Sequence, residues 1–166
     1  MVKVQRSLKA RALQYLAQRE HSRLELRRKL LPHARADALA VPETGSQTGT
    51  APERVEAVLD WLEAHAYLSQ ERFVESRVHA RAARFGNLRI RQELKQHALM
   101  LPADTAQALR TSELERARAV RERKFGAVPA DASGRARQAR FLVGRGFSPD
   151  TIRQALRGGG TESDDD

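Results

Sequence analysis

Arginine side chains at helical spacing are the residues of this sequence best suited to bind phosphate. Arg77, Arg81 and Arg84 lie at i, i+4 and i+7, so on a helix they form a row of guanidinium groups. An apolar row that includes Val74 and Val78 lies beside them, so the helix would pack by one side and present positive charge on the next. A guanidinium group binds phosphate through a planar fork of donors, so this row predicts a polyanion-binding surface.

More arginine and lysine residues follow in the next segments of the chain. Arg89, Arg91 and Lys95 continue the positive charge beyond the first row. Residues 116–145 contain only two acids, Glu122 and Asp131, among many bases. The candidate binding residues in this segment are Arg116, Arg118, Arg121, Arg123, Lys124, Arg137, Arg140 and Arg145.

The overall charge supports a polyanionic partner. The chain has 30 Lys and Arg residues against 21 Asp and Glu, a formal net charge of +9 and a pI near 10.9. Four of the acids, Glu162 and Asp164–Asp166, lie in the last nine residues, so the rest of the chain is more basic still. Such a charge favours binding to nucleic acid. The alternative interpretation is that these charges are only solvated or paired along helices.

Residues for catalysis or metal binding are not arranged in a familiar pattern. The five histidines lack metal-site spacing, and the sequence has no nucleophile-elbow, phosphate-loop or dinucleotide-binding glycine motif. We therefore expect no enzymatic activity, no cofactor and no bound metal. The absence of cysteine, of a signal-peptide core and of a long apolar run leads us to expect a cytoplasmic protein without a membrane partner.

Side chains that read bases are sparse in the sequence. Asn87 and Gln92 are the only amide side chains near the first basic rows that could hydrogen-bond to base edges. We interpret the aromatic residues mostly as core, which argues against base stacking. These residues are Trp61, Tyr67, Phe73, Phe125 and Phe141.

Apolar periodicity predicts an all-α fold, because helical rows are clear and alternating strand patterns are missing. An internal repeat is also present. The segment "SRLELRRKLLPHA" (22–34) aligns with "GNLRIRQELKQHA" (86–98), and "GRARQARFLVGRGF" (134–147) is a looser copy. A frame that opens with proline and ends with leucine recurs as "PERVEAVL", "PADTAQAL" and "PDTIRQAL". These alignments predict three tandem three-helix repeats that share a core.

We place repeat 1 at 1–68, repeat 2 at 69–110 and repeat 3 at 111–157, followed by a disordered acidic tail at 158–166. A Thr-, Gly-, Ser- and Pro-containing stretch at about 35–52 is predicted to be a flexible insertion in repeat 1. The predicted helices are 5–20, 23–33, 52–65, 70–84, 87–97, 102–110, 112–125, 135–145 and 149–157.

Capping residues support these boundaries. Ser22 and Glu25 have the spacing of a capping box. Serines that precede helical runs are predicted N-caps, and two glycines are predicted to turn the chain with positive φ. These are Ser69, Ser112 and Ser148, and Gly86 and Gly146.

Four segments together resemble the regulatory protein RecX family. They are "LAQREHSRLELRRKL", "VEAVLDWLEAHAYLSQERFVESRVHARAARFGNLRIRQEL", "RARAVRERKFG" and "ARFLVGRGFSPDTIRQALR", and the resemblance covers about residues 7 to 157. It implies tandem three-helix repeats in an elongated, curved, all-helical body. It also implies a monomeric modulator of RecA that lies in the groove of the RecA–single-stranded-DNA filament and suppresses recombinase, ATPase and co-protease activity. Family members also bind single-stranded DNA, and double-stranded DNA more weakly, with little sequence preference. The insertion and the acidic tail depart from the family pattern.

Two alternatives to this function remain open at this point. A sequence-specific helix-turn-helix transcription regulator would read a duplex with a helix such as "NLRIRQEL". A scaffold would instead bind a protein through its apolar seams. We also consider that Asp164–Asp166 fold back on the basic surface and weaken DNA binding, against the simpler interpretation of a solvated terminus.

Overall fold

The computed structural model describes residues 6–40 and 49–157, which form eight α-helices and contain no strand. This confirms the all-α fold class. The helices are α1 (Leu8–Leu16), α2 (Arg23–Ala40), α3 (Ala51–Ala64), α4 (Gln70–Ala82), α5 (Asn87–Lys95), α6 (Ala103–Phe125), α7 (Ala132–Gly144) and α8 (Pro149–Leu156). None of these helices is long and apolar enough to cross a membrane. The chain divides between Ser76 and Arg77 into two compact parts, which we call unit 1 and unit 2.

In unit 1, α1, α2 and α3 pack together around buried leucines. α2 contributes Leu26 and Leu30 at i and i+4, and α3 contributes Leu59 and Leu62, all fully buried. Thr50 caps the start of α3: its hydroxyl accepts from the Glu53 N–H while the Glu53 carboxylate accepts from the Thr50 N–H. This reciprocal cap satisfies two of the unpaired donors at the helix start.

Unit 2 has its own core where α6, α7 and α8 meet. Ala117, Val120, Leu142, Phe147 and Ile152 are buried there. Ser148 precedes α8 and its hydroxyl accepts from the Thr151 N–H, so this predicted N-cap is confirmed. The predicted cap at Ser69 is confirmed in the same way by the Arg72 N–H, at 3.2 Å.

A close contact between two turns joins α5 to α7 inside unit 2. The Gly86 N–H donates to the Arg145 carbonyl at 2.9 Å, and the Leu88 N–H donates to the Gly146 carbonyl at 3.0 Å. A Cβ on Gly86 would lie 2.2 Å from the Gly146 oxygen, far inside van der Waals contact. The prediction of positive φ is confirmed at Gly146, with φ of 80°, but is wrong at Gly86, with φ of −79°. Gly86 is required by the close approach of the two backbones.

The predicted helix break near residue 111 is wrong, because α6 runs without interruption from Ala103 to Phe125. Ser112 is therefore not an N-cap. Its hydroxyl donates to the Ala108 carbonyl at 2.9 Å, which lets a serine remain inside a helix. The buried row of Leu109, Ala117 and Val120 runs through both predicted segments and holds them as one helix.

The predicted insertion at 35–52 overlaps a helix, so its predicted start at residue 35 is too early. α2 continues past Pro32 to Ala40, because Ala34 and Asp37 extend the buried face that begins at Leu30. The helix therefore occupies the first residues of the stretch at 35–52, and α3 already begins at Ala51. The middle of that stretch, residues 41–48, and the acidic tail at 158–166 lie outside the described residues. The tail hypothesis lies there too.

Candidate nucleic-acid interface

Cations and phenylalanine rings alternate across one surface of unit 2. The Phe85 ring lies 5.6 Å from the Arg81 guanidinium carbon, 5.0 Å from that of Arg89 and 5.3 Å from that of Arg145. Arg145 also lies 5.1 Å from the ring of Phe141, so it bridges two rings. These distances are those of cation–π contacts, which hold each guanidinium plane in place while its edge remains available for hydrogen bonds.

The alternation continues onto α6 and α7. Phe141 meets Phe125 edge to face at 5.1 Å, and the Arg137 guanidinium lies 5.5 Å from the Phe125 ring. An open depression of about 260 Å³ lies beside these rings, with Val120 and Phe141 in its lining. The four cations that line it are Arg84, Arg123, Lys124 and Arg145. We call the whole set the Arg–Phe surface: Arg81, Arg84, Arg89, Arg123, Lys124, Arg137 and Arg145 with Phe85, Phe125 and Phe141.

One acid, Glu93, forms ion pairs with two cations of the Arg–Phe surface. Glu93 pairs with Arg81 at 2.8 Å and with Arg89 at 3.6 Å. The same carboxylate lines a second open groove, of about 350 Å³, together with Arg77 and His97. Within the described residues, no salt bridge involves Arg84, Arg123 or Lys124. The strongest positive potential is therefore expected at the depression.

Four other predicted cations are exposed but lie outside the Arg–Phe surface as defined by its rings and its depression: Arg91, Lys95, Arg118 and Arg140. Arg121 is half-buried and donates to the Gly126 carbonyl at 3.1 Å, which supports the end of α6. Arg77 is also half-buried and belongs to the second groove.

Arg116 faces into the protein rather than outward. Its guanidinium donates to the Phe85 carbonyl at 2.8 Å, to the Leu109 carbonyl at 2.9 Å and to the Asn87 side-chain oxygen. Burial lowers the pKa of Arg116 below its ordinary value, and the nearby Glu113 carboxylate opposes that shift. We therefore assign Arg116 to the support of the α4–α5 turn and leave it out of the Arg–Phe surface.

Glu113 is the centre of the same buried network. Its carboxylate accepts from the Asn87 backbone N–H at 2.9 Å and from the hydroxyls of Ser148 and Thr151 at 2.9 and 2.8 Å. The starts of α5 and α8 are thereby tied to α6. Our sequence reasoning missed this network, although a signal existed: Glu113 lies on the otherwise apolar row that runs from Leu109.

Several arginines of unit 1 differ from those at the depression, because they form ion pairs with carboxylates. Arg23 contacts Glu56 at 2.7 Å and Asp60 and Glu63 at 2.6 Å each. Burial would lower the pKa of Arg23, but the three carboxylates outweigh it and raise that pKa above its ordinary value. Further pairs in unit 1 are Arg19 with Glu25, Arg27 with Glu56 and Arg72 with Glu20. These ion pairs stabilise unit 1 and engage four of its nine arginines.

Comparison with known proteins gives concordant matches. A family model described as RecX, third three-helix domain, matches residues 111–156. A protein named Regulatory protein RecX from Leptothrix cholodnii is 53% identical, with 98% of this chain and 95% of that protein covered. A protein of the same name from Herbaspirillum seropedicae is 51% identical, with 96% of this chain and 95% of that protein covered. These relatives are named for regulation, not for catalysis.

A solved structure supports the fold alone. The crystal structure of RecX from Lactobacillus salivarius aligns with a TM-score of 0.61 over 90% of this chain and 92% of that one, at 17% identity. The helical-repeat architecture predicted from the sequence is thus confirmed.

Proposed function

Because the chain belongs to the regulatory protein RecX family, we propose that it acts as a monomer on the RecA–single-stranded-DNA filament and inhibits RecA recombinase, ATPase and co-protease activity. The structural feature that supports this proposal is the Arg–Phe surface, which names the residues proposed to bind. It would contact DNA phosphates and acidic surfaces of RecA at once.

The arrangement of charge favours binding without base recognition. Arg84, in the turn after α4, and Arg123 and Lys124, on α6, border one depression, which suits a phosphate backbone more than the edge of a base pair. A helix-turn-helix regulator would instead need base-reading amides on one exposed helix. Gln92 is exposed on α5, but Asn87 is buried with its amide bound to the Leu109 carbonyl and to Arg116.

Inhibition would follow from occupancy of the filament by several weak contacts. Each phosphate contact contributes little by itself, but contacts on one chain share an effective concentration and act together. A helical body held on the filament in this way would obstruct the changes that accompany ATP hydrolysis and strand exchange.

The test compares two charge reversals of equal size. Arg84→Glu with Arg123→Glu removes two cations from the depression, whereas Arg110→Glu with Arg153→Glu removes two exposed cations elsewhere in unit 2. RecA ATPase on single-stranded DNA is measured with sub-stoichiometric protein at low salt. We expect the unmodified chain and the second variant to inhibit, and the first variant to lose inhibition.

Salt dependence separates phosphate binding from sequence recognition. Each lost phosphate contact lowers the slope of log affinity against log salt by about 0.7 on single-stranded DNA, so the first variant should lose about 1.4. Absence of ATPase inhibition by the unmodified chain would contradict the proposal. Salt-resistant binding to one duplex sequence would support the transcription-regulator alternative instead.

A further inference from the structure

Three aromatic side chains form a partly exposed ladder in unit 1, at the end of α3. The rings of Trp61 and His65 are stacked with centroids 4.2 Å apart and planes inclined by 26°. The rings of Trp61 and Tyr67 are stacked at 5.5 Å and 19°. Tyr67 is 50% exposed, and Trp61 is only half-buried at the edge of the unit 1 core. The interpretation of Tyr67 as core is therefore wrong, whereas Trp61 packs against the core and keeps part of its surface exposed.

The backbone holds the outer ring of the ladder in place. Ala66 lies in the left-handed region with φ of 57°, a costly conformation for a residue with a side chain. It turns the chain so that the Tyr67 N–H donates to the Leu62 carbonyl at 2.9 Å. The Arg72 guanidinium then donates to the carbonyls of Ala66 and Tyr67 at 3.1 and 3.0 Å. Tyr67 is thus held at both its amide and its carbonyl while its ring remains half-exposed.

A cation accompanies the rings, while the neighbouring acids are engaged elsewhere. The Lys9 ammonium lies 3.2 Å from the Trp61 ring centroid. The acids of α3 nearest in sequence, Asp60 and Glu63, bind Arg23. Parallel rings with a half-exposed member and a nearby cation are the arrangement on which single-strand binding proteins stack bases and hold phosphates.

We propose that the Trp61–His65–Tyr67 ladder is a stacking site for a base of single-stranded nucleic acid, with Lys9 beside it to hold an adjacent phosphate. The site goes beyond the Arg–Phe surface, because it belongs to unit 1 and binds the base rather than the backbone. It rests on the proposed binding of single-stranded DNA. Stacking tolerates every base, so the site adds affinity without sequence preference.

Fluorescence gives a direct test, because Trp61 is the only tryptophan of the chain. The full chain is titrated with an oligothymidylate and with an abasic strand of equal length, which offers the same phosphates without bases. We expect the oligothymidylate to quench Trp61 and to bind more tightly than the abasic strand. Equal affinity for both strands, without base-dependent quenching, would overturn the ladder proposal while leaving phosphate binding intact.

Two substitutions at Tyr67 then locate the effect. Tyr67→Ala should weaken binding of the oligothymidylate by about fivefold to a hundredfold, the range for loss of one base–aromatic stack. Tyr67→Phe should retain the preference over the abasic strand, because it keeps the ring. Leu39→Ala removes another exposed apolar side chain of unit 1 and serves as the control. An unchanged preference in a folded Tyr67→Ala protein would refute the assignment.

RecA ATPase inhibition distinguishes this proposal from the previous one. If only the ladder proposal is wrong, the unmodified chain still inhibits RecA and the substitutions at Arg84 and Arg123 still remove that inhibition. If the filament proposal is wrong, the unmodified chain does not inhibit RecA, and the base-dependent quenching of Trp61 still tests the ladder.

Discussion

Gly86→Ala should destabilise unit 2 strongly, because it forces apart the two turns that meet at Gly86 and Gly146. The new Cβ would lie 2.2 Å from the Gly146 oxygen and 2.3 Å from the Phe147 nitrogen. Carbon and oxygen atoms in contact are normally about 3.3 Å apart or more, so the turns must separate by about 1 Å. Both partners are backbone atoms, and no side-chain rotation can relieve the overlap.

The expected cost follows from what that separation breaks. The hydrogen bonds from Gly86 to Arg145 and from Leu88 to Gly146, at 2.9 and 3.0 Å, would be stretched beyond useful length. Each contributes about 0.5–1.5 kcal/mol net, and overpacking of a tight contact typically costs about 1–3 kcal/mol. The free energy of unfolding should therefore fall by about 2–6 kcal/mol.

Urea unfolding followed by far-ultraviolet circular dichroism measures this loss. Trp61 lies in unit 1, so its fluorescence during the same titration reports on that unit separately. Gly144→Ala is the matched control: a Cβ there meets no atom within 4 Å, and the position is helical. It should leave stability unchanged or raise it by up to about 1 kcal/mol. A Gly86→Ala protein within about 0.5 kcal/mol of the unmodified chain would refute the reasoning.

Two further changes probe buried polar groups. Glu113→Ala leaves the Asn87 N–H and the hydroxyls of Ser148 and Thr151 without their acceptor, and Arg116 without its nearby carboxylate. The free energy of unfolding, measured in urea, should therefore fall by about 3 kcal/mol. A loss below about 1 kcal/mol would contradict the role of the network. His21 is 1% exposed among Arg19, Glu25 and Lys29, and burial, reinforced by the charge of Arg19, lowers its pKa despite the hydrogen bond to the Arg19 carbonyl. The unfolded state therefore binds a proton more readily, and stability should decrease as the pH falls below about 6.5, by at most about 1.4 kcal/mol per pH unit. Unfolding between pH 5 and 8 should show this dependence weakened in His21→Gln and retained in the exposed-site control His79→Gln.

The sequence was sufficient for features that depend on nearby residues. Helical rows of leucine and valine predicted the all-α class, and serine before a helical run predicted the caps at Ser69 and Ser148. These signals are local, because a cap depends on a side chain and on an N–H three residues later. The same local rule failed at Ser112, where a buried row that continues through the serine outweighed its capping preference.

Features that depend on distant residues could not be predicted in this way. The need for glycine at position 86 comes from Gly146, sixty residues later in the chain, and not from the φ of the residue itself. The inward direction of Arg116 likewise depends on carbonyls that other segments supply. An arginine that binds phosphate and one that binds buried carbonyls are equivalent in a charge count, so composition identified the basic segment but not its outward members.

The aromatic residues show most clearly how burial divides a single residue type into roles. Phe73 is buried in the core as predicted, whereas Phe85 and Phe141 lie half-buried beneath guanidinium groups and Tyr67 is half-exposed in a stack. In unit 2 the phenylalanine rings hold the arginine side chains in place, and these arginines are the groups that we propose to bind a phosphate backbone. In unit 1 carboxylates pair with Arg19, Arg23, Arg27 and Arg72, and the binding group that we propose there is the aromatic ladder. If both proposals hold, one chain contacts the two components that every single strand offers at each position, the phosphate and the flat base, and neither contact requires a particular sequence.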